Sequence, residues 1–205
     1  MNHRAMIYLA RCLSTVILPL ALSLAACGGP ATSPADEPPL AGASIGGPFT
    51  LSDKDGKAVQ WNDFAGKYRM VYFGYTFCPD ACPTDVGVMM RGFAKFEGAH
   101  PALADGVQPI FITIDPARDT QQAVGAFAAA FSPRLLGLTG TSAQVDQAAK
   151  AFRVYYAKGK ESAGGYLMDH SRFAYLMDRD GKPIAMLPVD KGPDAVASEL
   201  AKWVH

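Results

Sequence analysis

Two cysteines stand four positions apart in GYTFCPDACPTDV, residues 74–86, and each is followed by a proline. Cys78 and Cys82 therefore admit three chemistries: a structural disulfide, a redox couple, or two jaws of a metal clamp. A disulfide stabilises chiefly by closing a loop of the unfolded chain, and so short a loop removes little entropy. The structural bridge is the weakest of the three. Proline keeps the residue before it out of the α conformation and is welcome in the first turn of a helix. Cys82 is thus expected at the N-cap of a helix beginning at Pro83, its sulfur near the positive end of the helix dipole, where a thiolate is favoured. Disulfide sulfurs sit about 2 Å apart, whereas two thiolates bound at about 2.3 Å to one ion need roughly 4 Å. The loop has one residue more between its cysteines than the thioredoxin redox motif, which leaves room for chelation without forbidding a disulfide.

The elements that must hold these sulfurs alternate strand and helix from Ile45 onward. PFTLSDKDGKAVQW, with Asp55-Gly56 between apolar runs, predicts a hairpin. RMVYFGY, residues 69–75, is short, β-branched and aromatic, as a buried strand should be, and it feeds the cysteine loop directly. A helix follows over 84–97. The strand VQPIFITI runs to Asp115, and DPARDT leads into a helix from Thr120 to Phe131. Then come LLGL, a helix from Ser142 to Phe152, a short strand near Tyr155, a glycine-bearing loop at 164–165, the strands SRFAYLM and PIAML, and a helix from Asp194. This order predicts an α/β thioredoxin-like fold, a central mixed β-sheet flanked by helices with an N-terminal β-hairpin.

A two-thiolate clamp calls for a third ligand, and imidazole is the commonest candidate. His100 lies in GAHP beside a helix end and His205 is the last residue, whereas His170, in YLMDHS, immediately precedes SRFAYLM. In thioredoxin-like folds the residue before the equivalent strand faces the active cysteines and is typically a proline. Here it is His170 with Ser171, which makes His170 the candidate third ligand. Two thiolates and a neutral imidazole suit Cu(I) and, with help, Cu(II), but zinc accepts the same set. Ligand type alone leaves that choice open.

At the front, Arg4 and Arg11 precede an apolar run from Leu13 to Leu24, broken by Pro19 and followed by small residues before Cys27. Residues 1–26 read as a secretory signal peptide, too short in apolar run to span a bilayer comfortably. The junction LAAC resembles the lipobox of bacterial lipoproteins, so Cys27 is the expected lipid anchor. Residues 27–44, rich in Pro, Gly, Ala and Ser, read as a flexible tether, and 45–205 as the folded domain. Cys12 falls in the leader, which leaves the domain only Cys78 and Cys82. The chain holds 19 basic and 19 acidic residues. Loss of the leader removes two arginines and no acid, and so slight an imbalance implies no nucleic-acid partner.

FGYTFCPDACP at 73–83, IDPARDT at 114–120 and YLMDHS at 166–171, with the opening GGPFTLSDKDGK, resemble the Sco (SenC) family of copper-binding assembly factors for cytochrome c oxidase. The likeness runs from about residue 45 to the end. It implies a periplasm-facing domain that binds copper, as Cu(I) and Cu(II), through Cys78, Cys82 and His170. Such a domain delivers the ion to the binuclear copper centre of oxidase subunit II, or acts as a thiol:disulfide oxidoreductase that keeps the subunit II cysteines reduced. The implied partners are subunit II, a periplasmic copper donor, a thiol reductant of the thioredoxin type, and the membrane through the lipidated N-terminus. Lipid on Cys27 departs from the transmembrane helix of many members. Cys78 and Cys82 are expected to form a reversible disulfide that blocks Cu(I) uptake. Asp80, between the cysteines, and Asp115 are candidate supporting groups around the ion, although loop solvation for Asp80 and helix capping by Asp115 or Asp119 compete. Met168 reads as core packing before a thioether contact, and Tyr72, Phe73, Tyr75 and Phe77 as core and rim around the site.

Overall fold

A computed structural model describes residues 37–161 and 165–205. The expected signal peptide, the Cys27 anchor, residues 27–36 of the tether and Gly164 lie outside the described residues. Strands β1 (Thr50–Ser52) and β2 (Ala58–Gln60) form the expected antiparallel hairpin, with Leu51 opposite Val59. Its turn needs Gly56, whose φ of +77° is a conformation that side chains disfavour.

The centre of the molecule is β3 (Tyr68–Gly74), every residue of which is buried. Its bulky side chains face helices on both sides, and each large apolar group so covered contributes about 1.5–3 kcal/mol. The sheet order is β5-β4-β3-β8-β9. β4 (Val107–Thr113) runs parallel to β3, and β5 (Leu136–Leu138) parallel to β4. β8 (Ala174–Met177) and β9 (Pro183–Leu187) complete the sheet antiparallel. Parallel neighbours need crossover helices. These are α1 (Ala81–Ala99) with the short α2 (Pro101–Ala104), and α3 (Gln121–Phe131). α4 (Ser142–Ala151) follows β5, and α5 (Pro193–Trp203) packs on α1. No helix among the described residues is long and apolar enough to cross a membrane.

Two departures from expectation bear on the cysteines and His170. Helix α1 begins at Ala81, so Cys82 is not its N-cap but sits inside the first turn, and Asp80 takes the cap position. Pro83 lacks only an N–H that would have no partner in a first turn, and the Asp80 carbonyl accepts from Thr84 N–H at 3.1 Å. Burial of Cys82 and Val86 against the sheet outweighs the pre-proline bias. The second departure is that SRFAYLM is not one strand. β6 (Tyr156–Lys158) and β7 (Met168–His170) pair as a separate two-stranded arm, and the main sheet is entered only at Ala174. Ser171 ties the chain to that arm: its N–H donates to Tyr155 O at 2.9 Å and its hydroxyl accepts from Tyr155 N–H at 3.1 Å.

Candidate metal centre

Gly74 ends β3 beneath the cysteine loop. A Cβ there would stand 3.0 Å from Cys82 Sγ and 3.1 Å from the Phe111 ring, so glycine leaves the space that the sulfur occupies. Both thiols are free; Cys82 is wholly buried and Cys78 half-buried. The N–H of Cys82 donates to Cys78 Sγ at 3.3 Å. Burial alone raises the Cys78 thiol pKa, but the backbone N–H groups of Cys82 and Asp80 outweigh it and bring the group below its ordinary value. Burial pushes the Cys82 thiol far upward, with the Cys78 sulfur and the Asp85 charge adding to it. The readily formed thiolate expected at Cys82 therefore belongs to Cys78, because the first-turn amides point at the earlier sulfur.

His170 closes β7 and brings its Nε2 to 3.3 Å from Cys82 Sγ. Its Nδ1 lies 2.8 Å from Ser171 O. A carbonyl can only accept, so Nδ1 carries the proton and the Nε2 lone pair faces the sulfur. Tyr75 and Tyr72 set their rings edge-on to the imidazole, with centroids at 6.0 and 6.4 Å. Burial holds the imidazole pKa below its usual value and so keeps the ring in its ligating, neutral form. Sulfur and nitrogen ligands at about 2.3 and 2.0 Å on one tetrahedral ion stand about 3.5 Å apart. The observed 3.3 Å fits such a site. As they stand, however, no three His, Cys, Asp or Glu side chains among the described residues are gathered closely enough to hold an ion. Cys82 and His170 already meet, and the Cys78 sulfur lies against Cys82, accepting from its N–H.

These groups open into a cleft of about 290 Å³ lined by Tyr75, Cys78, Asp80, Leu167, Met168 and His170. Phe77 and Leu167 are 55% and 56% exposed. Phe77 is rim, while Tyr72, Phe73 and Tyr75 are core. Met168 is half-buried against the core. Asp80 is exposed, its carboxylate 3.5 Å from Thr84 Oγ1. Neither Asp115 nor Asp119 caps α3; the Thr120 hydroxyl does, accepting from Ala123 N–H. Buried Asp119 instead accepts from Thr76 N–H at 2.9 Å, from Thr76 Oγ1 at 2.6 Å and from Thr113 Oγ1 at 2.6 Å, tying the cysteine loop to β4. Asp115 accepts from Arg118 Nε at 2.6 Å and from Tyr166 O–H at 2.9 Å. Arg118 also donates to Tyr166 O and stacks 3.6 Å over its ring. IDPARDT is thus a bracket between the cysteine loop and the chain leading to His170.

Sequence reasoning missed Asp85, Tyr72 O–H and Arg172. Asp85 is 2% exposed and joins the other two beneath the imidazole. Its signal was present as an acid on the helix face that also carries Cys82 and Met89.

The SCO1/SenC family model matches residues 37–205. Protein SCO1 homolog 2, mitochondrial, of Arabidopsis thaliana is 39% identical over 163 residues, covering 80% of this chain and 58% of its own. The human Protein SCO1 homolog, mitochondrial, is 38% identical over 158 residues, covering 77% and 52%. The chain thus spans little more than half the length of these relatives. Among solved structures, Arabidopsis thaliana ScoI with copper bound superposes with a TM-score of 0.72 at 36% identity, covering 77% of this chain and 96% of that one. BsSco, described as a member of the Sco family of cytochrome c oxidase assembly proteins with a disulfide switch, superposes with a TM-score of 0.61 at 25% identity, covering 81% and 95%.

These relatives overturn one expectation, a lipid-anchored protein on the periplasmic side of a bacterial membrane. The matching proteins of Arabidopsis, human, mouse and cattle are mitochondrial proteins of eukaryotes. The physical reason for the misreading is that arginines without acids before a cleavage point are common to several targeting leaders. With the family model matched from residue 37 to the last residue and the fold shared with copper-bound ScoI, the chain belongs to the SCO1/SenC family.

Proposed function

We propose that this chain is a copper-binding metallochaperone that delivers copper to the binuclear centre of cytochrome c oxidase subunit II. The observation that carries the reading is the 3.3 Å approach of His170 Nε2 to Cys82 Sγ, with Cys78 Sγ in the preceding loop accepting from Cys82 N–H. Two thiolates and a neutral imidazole are a donor set for a soft ion, and the copper bound in Arabidopsis ScoI supports copper over zinc. Copper is cargo here. Cys78 takes it up as the accessible thiolate, Cys82 and His170 complete the set from the buried side, and release runs by ligand exchange at the cleft mouth. A copper donor and a thioredoxin-type reductant that keeps both sulfurs reduced are the partners this cycle needs.

The second reading is a thiol:disulfide oxidoreductase that reduces the subunit II cysteines. The lowered Cys78 pKa favours it, as does the disulfide switch described for BsSco. In that cycle the Cys78 thiolate attacks a target disulfide and one target sulfur leaves as thiolate. Cys82, giving its proton to His170 Nε2, then attacks Cys78 Sγ and releases the second. The target gains two electrons and the chain is left with a Cys78–Cys82 disulfide.

Copper stoichiometry and spectroscopy of the reduced chain, with Cys78→Ser, Cys82→Ser and His170→Ala in turn, test the first reading. One copper per chain, lost from each variant, is expected, and copper retained without His170 sinks it. The first step of disulfide exchange does not involve the ring. Mixed-disulfide formation at Cys78 that survives His170→Ala, in a chain that binds no copper, leaves only the redox reading.

A further inference from the structure

One buried carboxylate joins the elements that carry the three candidate ligands. Asp85 lies one turn beyond Cys82 on α1. Its Oδ2 accepts from Tyr72 O–H on β3 at 2.9 Å and from Arg172 Nε at 2.9 Å, and its Oδ1 accepts from Arg172 Nη2 at 2.7 Å. The guanidinium contact is bidentate, the geometry in which an arginine fixes orientation as well as charge. Arg172 stands two residues after His170, and the peptide group between Ser171 and Arg172 supplies the carbonyl that accepts from His170 Nδ1–H at 2.8 Å. The plane of that peptide therefore sets both the tautomer and the tilt of the imidazole. Tyr72 adds a second constraint, since its ring packs edge-on against the imidazole while its hydroxyl is held by the same carboxylate.

We propose that Asp85, Arg172 and Tyr72 are positioning residues, a staple that holds the Ser171–Arg172 peptide so that His170 Nε2 stays aimed at Cys82 Sγ. The inference rests on the copper-binding reading for its purpose but on hydrogen bonds alone for its geometry. Without the staple the residues after His170 keep the Ser171–Tyr155 hydrogen bonds within the arm, while the Arg118–Tyr166 contact holds only the chain that leads into β7. The peptide can then turn, Nδ1 loses its acceptor, and the ring samples both tautomers.

The test compares the reduced full-length chain with Arg172→Gln, Arg172→Lys and the double variant Asp85→Asn/Arg172→Gln. The double variant leaves no buried charge unpaired and so guards against simple unfolding. Nitrogen NMR of the metal-free His170 ring is expected to show one tautomer, protonated at Nδ1, in the parent and a mixture in Arg172→Gln and the double variant. Groups that orient a metal-binding histidine typically govern its affinity by about ten- to a hundredfold. Copper affinity should fall by that factor in both, with two thiols still titrating, and Arg172→Lys should recover part of it. A parent-like tautomer and affinity in the folded double variant overturn the staple. A tautomer shift in a chain that never binds copper instead upholds the staple and overturns the copper reading.

Discussion

Asp119→Ala separates a bracket from a bystander. The carboxylate is buried, and all three of its hydrogen bonds reach segments distant from its own helix cap: two to Thr76, just ahead of Cys78, and one to Thr113 at the end of β4. Hydrogen bonds to a charged group contribute about 1.5–3 kcal/mol each. The two threonine hydroxyls can rotate towards other acceptors once the carboxylate is gone. The Thr76 N–H is fixed by the backbone and stays stranded. Weighing one stranded amide and two weakened hydroxyls, Asp119→Ala should destabilise the chain by about 3–5 kcal/mol.

Asp119→Asn provides the internal control. Its amide oxygen can take the place of Oδ2, which serves Thr76 N–H and Thr113 O–H, while its amide nitrogen donates to a rotated Thr76 hydroxyl. Only the charge assistance is lost, so about 1–2 kcal/mol is expected. Urea unfolding of the reduced chain gives both values. Alkylation of Cys78 reports on the loop, and should speed up in the alanine variant as the turn before the cysteine loosens. An alanine variant within about 1 kcal/mol of the parent, with unchanged Cys78 alkylation, refutes the bracket.

Iodoacetamide should modify Cys78 before Cys82 by at least about tenfold, and do so below the ordinary thiol pKa, because Cys78 is both accessible and the better thiolate; peptide mass mapping that finds Cys82 first contradicts this. The His170 pKa is lowered in the folded chain by burial, so the unfolded chain takes up that proton first as pH falls. Stability should therefore drop as pH is lowered through about 6.5, and His170→Gln should flatten that slope in denaturant titrations. At Gly92 an added methyl would stand 2.5 Å from Val196 Cβ and 2.8 Å from Pro193 O. Gly92→Ala should consequently lower stability by about 1–3 kcal/mol despite its better helix propensity, as thermal unfolding would show.

The hairpin, the central strands and the helices were legible because their signals are local: a turn at Asp55-Gly56, a β-branched and aromatic run ending at Gly74, a threonine at the start of α3. The position of Cys82 was not. A proline after it argues for an N-cap, and only the buried face of α1, which depends on β3 and Phe111, decides otherwise. His170 was found through the place it takes beside a strand, although its contact with Cys82 spans 88 residues of chain. Asp85 and Arg172, 87 residues apart, carry no local signal of their pairing. An acid in the first turns of a helix ordinarily reads as a favourable dipole partner facing water, and burial is what turns it into a junction.

The asymmetry of the two sulfurs bears most directly on how cargo could pass. Cys82 is sealed against Gly74 and the imidazole, while Cys78 is half-buried in a cleft lined by exposed Leu167 and follows exposed Phe77 in the chain. An approaching thiolate ligand can reach only Cys78 without opening the core. On the proposed copper-transfer reading, the first bond to form on loading and the first to break on release therefore belong to that sulfur. Its hydrogen bond from Cys82 N–H is given up if the sulfur turns to share an ion with His170. Because that bond is to a charged acceptor, its loss opposes loading by roughly 1.5–3 kcal/mol, a modest barrier beside metal–thiolate bonding. A site built with both thiols equally buried would bind more rigidly but offer a partner no sulfur to exchange with. With Cys82 buried beside His170 and Cys78 half-buried at the cleft, the arrangement fits the transfer role proposed above.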